Sequence, residues 1–219
     1  MKIPEGGQFE NPPCGSHVAR CIGVIDLGTQ QHKGFQGQPD WASRDVRIIF
    51  ELPLTRMTGV YNPELKGKPF GCAMTLKQSL HQSSKLRKML RGWRGKDFTK
   101  EEIAAFDLSH ILGRACMLSL VENGDYVNID TISALPLDQK TGKPTLVPKQ
   151  INPTTFFSLD PQEFDVKAFS GLSEKAQAKI KASPEYAALF SESQSGSDDD
   201  QHMPEEPGGV DADGENMPF

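Results

Sequence analysis

The chain has 219 residues, with 24 Lys and Arg against 29 Asp and Glu and a formal net charge of −5. That length suits one domain with extensions. No stretch approaches the roughly 20 apolar residues of a membrane span, and the polar opening Met1 to Pro13 lacks the apolar core of a signal peptide, so a soluble, cytoplasmic protein is expected.

Residues 1–16 read as an N-terminal arm. Val- and Ile-rich His17 to Leu27 predicts a first strand, and the Gly/Gln/Pro-rich stretch Gly28 to Ser43 a long loop. From Arg44 to Leu52 the pattern alternates, with Val46, Ile48, Phe50 and Leu52 on one face and Asp45, Arg47 and Glu51 on the other, the signature of a half-buried strand. A polar loop with Pro53, Gly59 and Pro63 leads to a third strand, Pro69 to Lys77.

The period then changes. Leu86, Met89, Leu90 and Trp93 fall on one helix face, with Lys85, Lys88 and Arg91 outside. Thr99 with Glu102 forms a capping-box pattern, and Phe98 with Ile103 a hydrophobic staple, predicting a second helix that runs to Gly113. Arg114 to Val121 and Tyr126 to Ala134 read as a hairpin about the Asn123-Gly124 turn.

Beyond 135 the chain becomes irregular, with prolines at 136, 144, 148, 153 and 161, followed by helices at Ser173 to Lys181 and Pro184 to Phe190. The expected organisation is an arm (1–16), a domain (17–135), an irregular and helical extension (136–190) and a disordered acidic tail (191–219). Three strands, a helix and a hairpin give a mainly β fold with helical insertions. That order matches the five-stranded Greek-key barrel of the oligonucleotide-binding fold, in which a helix separates strands 3 and 4.

Charge is distributed unevenly. The segment from Ser191 onward holds nine acidic residues and no Lys or Arg; without those nine, 24 basic residues face 20 acidic ones, a net +4. Between Lys66 and Lys100 ten basic residues face Asp97 alone. A solvated helix face ordinarily mixes signs, so this run reads as a phosphate-facing surface, with Lys77, Lys85, Lys88, Arg91 and Arg94 neutralising phosphates and Arg44 and Arg47 extending the groove.

Single strands are held by such a groove together with aromatic faces on which bases stack. Candidate platforms are Phe35, Trp41, Tyr61 and Tyr126, with Phe70 on the third strand; Trp93 and Phe50 read as core. The four cysteines, at 14, 21, 72 and 116, lack the paired spacing of a zinc site and read as buried small hydrophobes, so no metal or cofactor is expected.

The tip Asn216-Met217-Pro218-Phe219, behind a Gly/Asp/Glu leash, resembles the acidic tip of bacterial and phage single-stranded DNA-binding proteins. The familiar bacterial form runs Asp-Asp-Asp-Ile-Pro-Phe; here Met stands for Ile, and Glu215-Asn216 is less acidic. The stretch Lys85 to Gly95, Phe98-Thr99, Leu112-Gly113 and the Asn123-Gly124 hairpin resembles phage members of that group. The resemblance implies a non-enzymatic protein that coats single-stranded DNA during replication or recombination, in the host cytoplasm if phage-encoded; the residues leave monomer and homo-oligomer as alternatives. By the same resemblance Met217, Pro218 and Phe219 recruit replication and recombination enzymes, and the tail occupies the groove when it is empty.

Three rival readings remain. A strand-annealing or recombination-mediator protein would share the DNA surface, and an interaction adaptor would lack it. The octapeptide Ile22 to Thr29 resembles a phosphate loop of the actin and heat-shock ATPases, but no second phosphate motif follows and the chain is too short for their two lobes.

Overall fold

The computed structural model describes residues 9–34 and 36–191. Six strands, β1 (Gly15–His32), β2 (Trp41–Arg56), β3 (Pro69–Lys77), β4 (Ala115–Asn123), β5 (Tyr126–Ser133) and β6 (Thr155–Phe157), form one sheet. Along it the order is β3-β2-β1-β4-β5, every neighbouring pair antiparallel, with the short β6 lying parallel to β1. The helices are α1 (Lys85–Arg94), α2 (Lys100–Ala105), α3 (Val166–Ser170), α4 (Glu174–Lys181) and α5 (Pro184–Ser191). None of the helices described is long and apolar enough to cross a membrane.

The expected loop from Gly28 to Ser43 shrinks to Lys33–Asp40, because β1 and β2 pair as far as His32 and Trp41. Gly28 does not break the strand. It sits at φ 69° beside a register shift, its N–H donated to Asp26 Oδ1 at 2.9 Å, so the chain absorbs it as a bulge.

Helix α1 follows its apolar spacing and is closed by the Ser84 hydroxyl at its start and Gly95, at φ 72°, at its end. The Thr99–Glu102 capping box starts α2 as expected, but the helix stops at Ala105 rather than running to Gly113. Phe106 turns extended to pack edge-on against Phe98, and the Asp107 carboxylate takes the Ser109 N–H at 2.6 Å, starting a separate 3-10 turn, Leu108–Ile111.

No closed barrel forms. The outer strands β3 and β5 approach each other without pairing, and α1 packs against both. The Gly92 carbonyl accepts the Ala134 N–H at 3.0 Å where the chain leaves β5. A Cβ at Gly92 would lie 2.6 Å from the Ile132 carbonyl oxygen, so only glycine allows this approach.

One core lies between the inner sheet face and α1, built from Val46, Ile48, Phe50, Leu52, Leu86, Leu90, Leu118 and Leu120 among others. A second lies on the opposite face, where Ile25 and Leu27 of β1 meet Phe157, Leu159, Phe169, Leu172 and Ile180. The stretch expected to be irregular therefore supplies β6, α3 and a second hydrophobic layer.

The half-buried reading of β2 holds at Arg47, which is exposed, but fails at Asp45 and Glu51. Asp45 is buried, and Glu51 is 0% exposed, its carboxylate accepting the Ile151 N–H at 2.7 Å, the Asn152 N–H at 2.9 Å and the Asn152 amide at 2.8 Å. Charge-assisted bonds of this kind are among the stronger ones, and losing the acceptor strands buried donors. Glu51→Ala should lower the unfolding free energy by about 2–4 kcal/mol in a urea titration; a shift below about 0.5 kcal/mol would show that the crossing segment is held by other means.

Candidate nucleic-acid interface

Burying Leu86, Met89, Leu90 and Trp93 turns Lys85, Lys88 and Arg91 outward. These three have no carboxylate within salt-bridge distance among the described residues. The other two cations of α1 are engaged. Arg87 donates to Asp97 at 2.9 Å, which holds that carboxyl below its usual range, and Arg94 donates to Glu102 at 2.6 Å while lying 4.0 Å over the Phe98 ring. Arg94, expected to meet phosphate, is thus tied into the α2 cap.

On the sheet, Arg47 is exposed and lies across from Thr75, and Lys77 lies across from Asp45. The exposed positions of β3 beside them are small, Gly71, Ala73 and Thr75, which leaves a shallow strip. Arg44 is different: its guanidinium grips Asp26 through Nη2 and Nε, and the bond to that carboxylate raises its pKa further. Its charge is compensated.

The aromatic candidates separate to two ends of the sheet. Trp41, 49% exposed, stands at the start of β2 and stacks on His32, its cross-strand neighbour, with ring centroids 4.0 Å apart. Tyr126, 56% exposed, and Tyr61, 51% exposed, lie at the other end, by the hairpin and the β2–β3 loop. There the arm ties the loops together. Phe9 stacks on Tyr126 at 5.5 Å, Glu10 accepts the Thr58 and Gly59 N–H groups, and the Asn11 amide donates to the Asp125 carbonyl.

Phe70 is corrected: at 3% exposed it belongs to the inner core and offers no platform. Trp93 is core, its Nε1 donated to the Ala115 carbonyl at 2.8 Å, and so is Phe50. Phe35, Met217, Pro218 and Phe219 lie outside the described residues. His32 and Phe9, which stack on Trp41 and Tyr126, were not legible as site residues; the first ends a polar run and the second sits in a Pro/Gly-rich arm, neither in a periodic pattern.

The phosphate-loop octapeptide is occupied by the protein itself. Asp26 serves Arg44 and the Gly28 N–H, while the Thr29 N–H and Oγ1 hold the Glu185 carboxylate at 2.8 and 2.6 Å. This latch seats α5 against the end of β1, so Ser191, where the acidic segment begins, is the last residue of a helix docked beside Arg44. Cys21 and Cys116 are buried, Cys72 is half-buried and Cys14 is exposed; burial pushes the Cys21 thiol up to about 12 and that of Cys72 to about 11. Among the described residues no cluster of His, Cys, Asp or Glu is arranged to hold a metal.

Comparison with protein-family models, with curated proteins and with solved structures gives no significant match to this chain.

Glu102 generates a prediction of its own. The Thr99 N–H first, then Arg94 and Lys96, hold its carboxyl down to about 2 from an ordinary 4.5. A carboxyl depressed in the folded state stabilises it above the ordinary value, and that contribution fades as the pH falls from 4.5 towards 2. Glu102→Gln should therefore flatten the acid limb of the melting-temperature profile across that window. A variant with the wild-type acid limb would mean the cap does not carry this linkage.

Proposed function

We propose that this protein binds single-stranded nucleic acid without sequence preference, and that it coats single-stranded DNA during replication or recombination. The observation that carries the reading is the stripe Lys85, Lys88 and Arg91, which forms no salt bridge among the described residues, on the same fold as the exposed rings Trp41 and Tyr126, each stacked on a neighbouring ring. Cations that mixed charges would ordinarily neutralise remain available to phosphate, and an open ring face accepts any base. Arg47 and Lys77 extend the charge along the shallow β2–β3 strip.

The strand order supports an oligonucleotide-binding architecture. The path β3-β2-β1-β4-β5, with α1 between β3 and β4, follows the order such a barrel would have if β3 met β5. The acidic residues from 192 onward would compete with phosphates, beginning as they do next to a helix seated beside Arg44, and Met217, Pro218 and Phe219 would take a partner protein. The choice of DNA and the recruiting role rest on the resemblance of the tip. No catalytic role is assigned.

Anisotropy titrations of labelled oligo-dT test this. Trp41→Ala should weaken binding by about 1–3 kcal/mol with the fold intact. Arg91→Ala should weaken it at unchanged stability, whereas Arg94→Ala should act through lost stability, since its partners are Glu102 and Phe98. Deleting Ser191 to Phe219 should preserve or tighten binding. Trp41→Ala protein that binds like wild type would remove that ring from the surface, and an Arg91→Ala variant with full affinity would remove the α1 stripe.

A further inference from the structure

Asp45 poses a problem for the surface just described. Its carboxylate, 4% exposed, lies across from Lys77 on the face expected to receive phosphates. A negative charge there opposes a polyanion, and burial limits the screening that salt provides.

The same carboxylate is bound by a titratable group. Asp45 Oδ2 lies 3.2 Å from His32 Nε2, and Asp45 Oδ1 accepts the Ser43 hydroxyl at 2.8 Å; that hydroxyl is also 3.2 Å from His32 Nε2. The opposite partner of His32 is Trp41, stacked at 4.0 Å with an interplanar angle of 18°. One imidazole therefore touches both the candidate base platform and a buried carboxylate of β2.

The charges around it are few. From β2 come Asp45 and Arg44, the latter already paired with Asp26; from β3 comes Lys77. In the loop, Lys33 and Asp40 pair with each other at 4.0 Å. Glu185 of α5 is held by Thr29, and α4 meets this end of β1 through the Lys179 carbonyl, which takes the Gln30 amide.

With His32 neutral, the His32–Asp45 pair carries a net −1; with His32 protonated the pair is neutral, and a cation lies against the Trp41 face. Histidine is the side chain suited to make that change within roughly pH 5–8. We propose that His32 is a further positioning residue of the binding surface, setting the Trp41 platform and cancelling the Asp45 charge, so that uptake of a proton at His32 accompanies single-strand binding. The inference rests on the function proposed above and adds its linkage to pH.

The test uses the full chain and oligo-dT at constant ionic strength, between about pH 8 and about pH 5.5, the span in which histidine changes charge. Wild-type affinity should rise roughly fivefold towards the lower pH, the low end of ordinary coupling between two bound ligands. His32→Gln should lose that response. Asp45→Asn should bind at the higher pH as tightly as wild type does at the lower one. Wild-type affinity that does not change with pH, or His32→Gln protein that keeps the wild-type response, would overturn the proposal.

A second readout does not need DNA. The emission of Trp41, taken as the difference between wild type and Trp41→Phe, should be quenched as the pH falls, because a protonated imidazole is stacked on the indole; His32→Gln should abolish the quenching. Emission that ignores pH overturns the His32–Trp41 coupling. Failure to bind oligo-dT at any pH overturns the functional reading and this linkage with it, whereas binding that is present but flat with pH overturns the linkage alone.

Discussion

Strand β1 has to satisfy two layers at once. Its first residues, Gly15 to Arg20, pair with β4, and from Arg20 to His32 it pairs with β2, while Gly23 to Ile25 also accept β6. Register shifts at Cys21/Gly23 and Asp26/Gly28 turn the strand between these partners. As a consequence Val24 faces the inner core and Ile25 and Leu27 the outer one. Large apolar side chains in the middle of an outer face need cover, each contributing about 1.5–3 kcal/mol when buried. The segment from Thr155 to Ser191 supplies that cover, and Glu51 and the Thr29–Glu185 latch anchor it. The arrangement closes one part of the outer face and leaves the β2–β3 strip and the back of α1 to solvent.

The same packing sorts the cations. Arg44, Arg87 and Arg94 have carboxylate partners in Asp26, Asp97 and Glu102. Arg47, Lys77, Lys85, Lys88 and Arg91 have none among the described residues, and all five are exposed. A run that looks uniform along the chain is thus two populations in space. One holds α1, α2 and the β1–β2 end in place; the other is the reserve of charge on which the proposed function draws.

Much of this was legible in the residues. The helical spacing of Leu86 to Trp93 gave the buried face of α1, Thr99 and Glu102 gave the cap of α2, Asn123-Gly124 gave the hairpin, and Pro69 to Lys77 gave β3 at its observed bounds. What stayed hidden depended on partners distant in sequence. Asp45 and Glu51 alternate with apolar residues as solvent-facing positions should, and nothing local announces that residues 151–152 cross over the second. Phe70 looked available because its own strand is half exposed. Gly28 looked like a loop because it opens a Gly/Gln/Pro-rich stretch, and only the pairing of β1 with β2 makes it a bulge within a strand. Trp41, Tyr61 and Tyr126 are exposed as expected, but the rings that stack on Trp41 and Tyr126 were not anticipated.

The central claim is electrostatic: the five exposed cations that form no salt bridge among the described residues grip the phosphates of an unpaired strand. The most direct measurement is the affinity for oligo-dT as a function of salt. Each phosphate neutralised on a single strand contributes about −0.7 to the slope of log K against log salt. Engagement of all five therefore predicts a slope near −3.5. A slope near zero, or no binding to oligo-dT at the lowest salt with or without Ser191 to Phe219, would contradict the account.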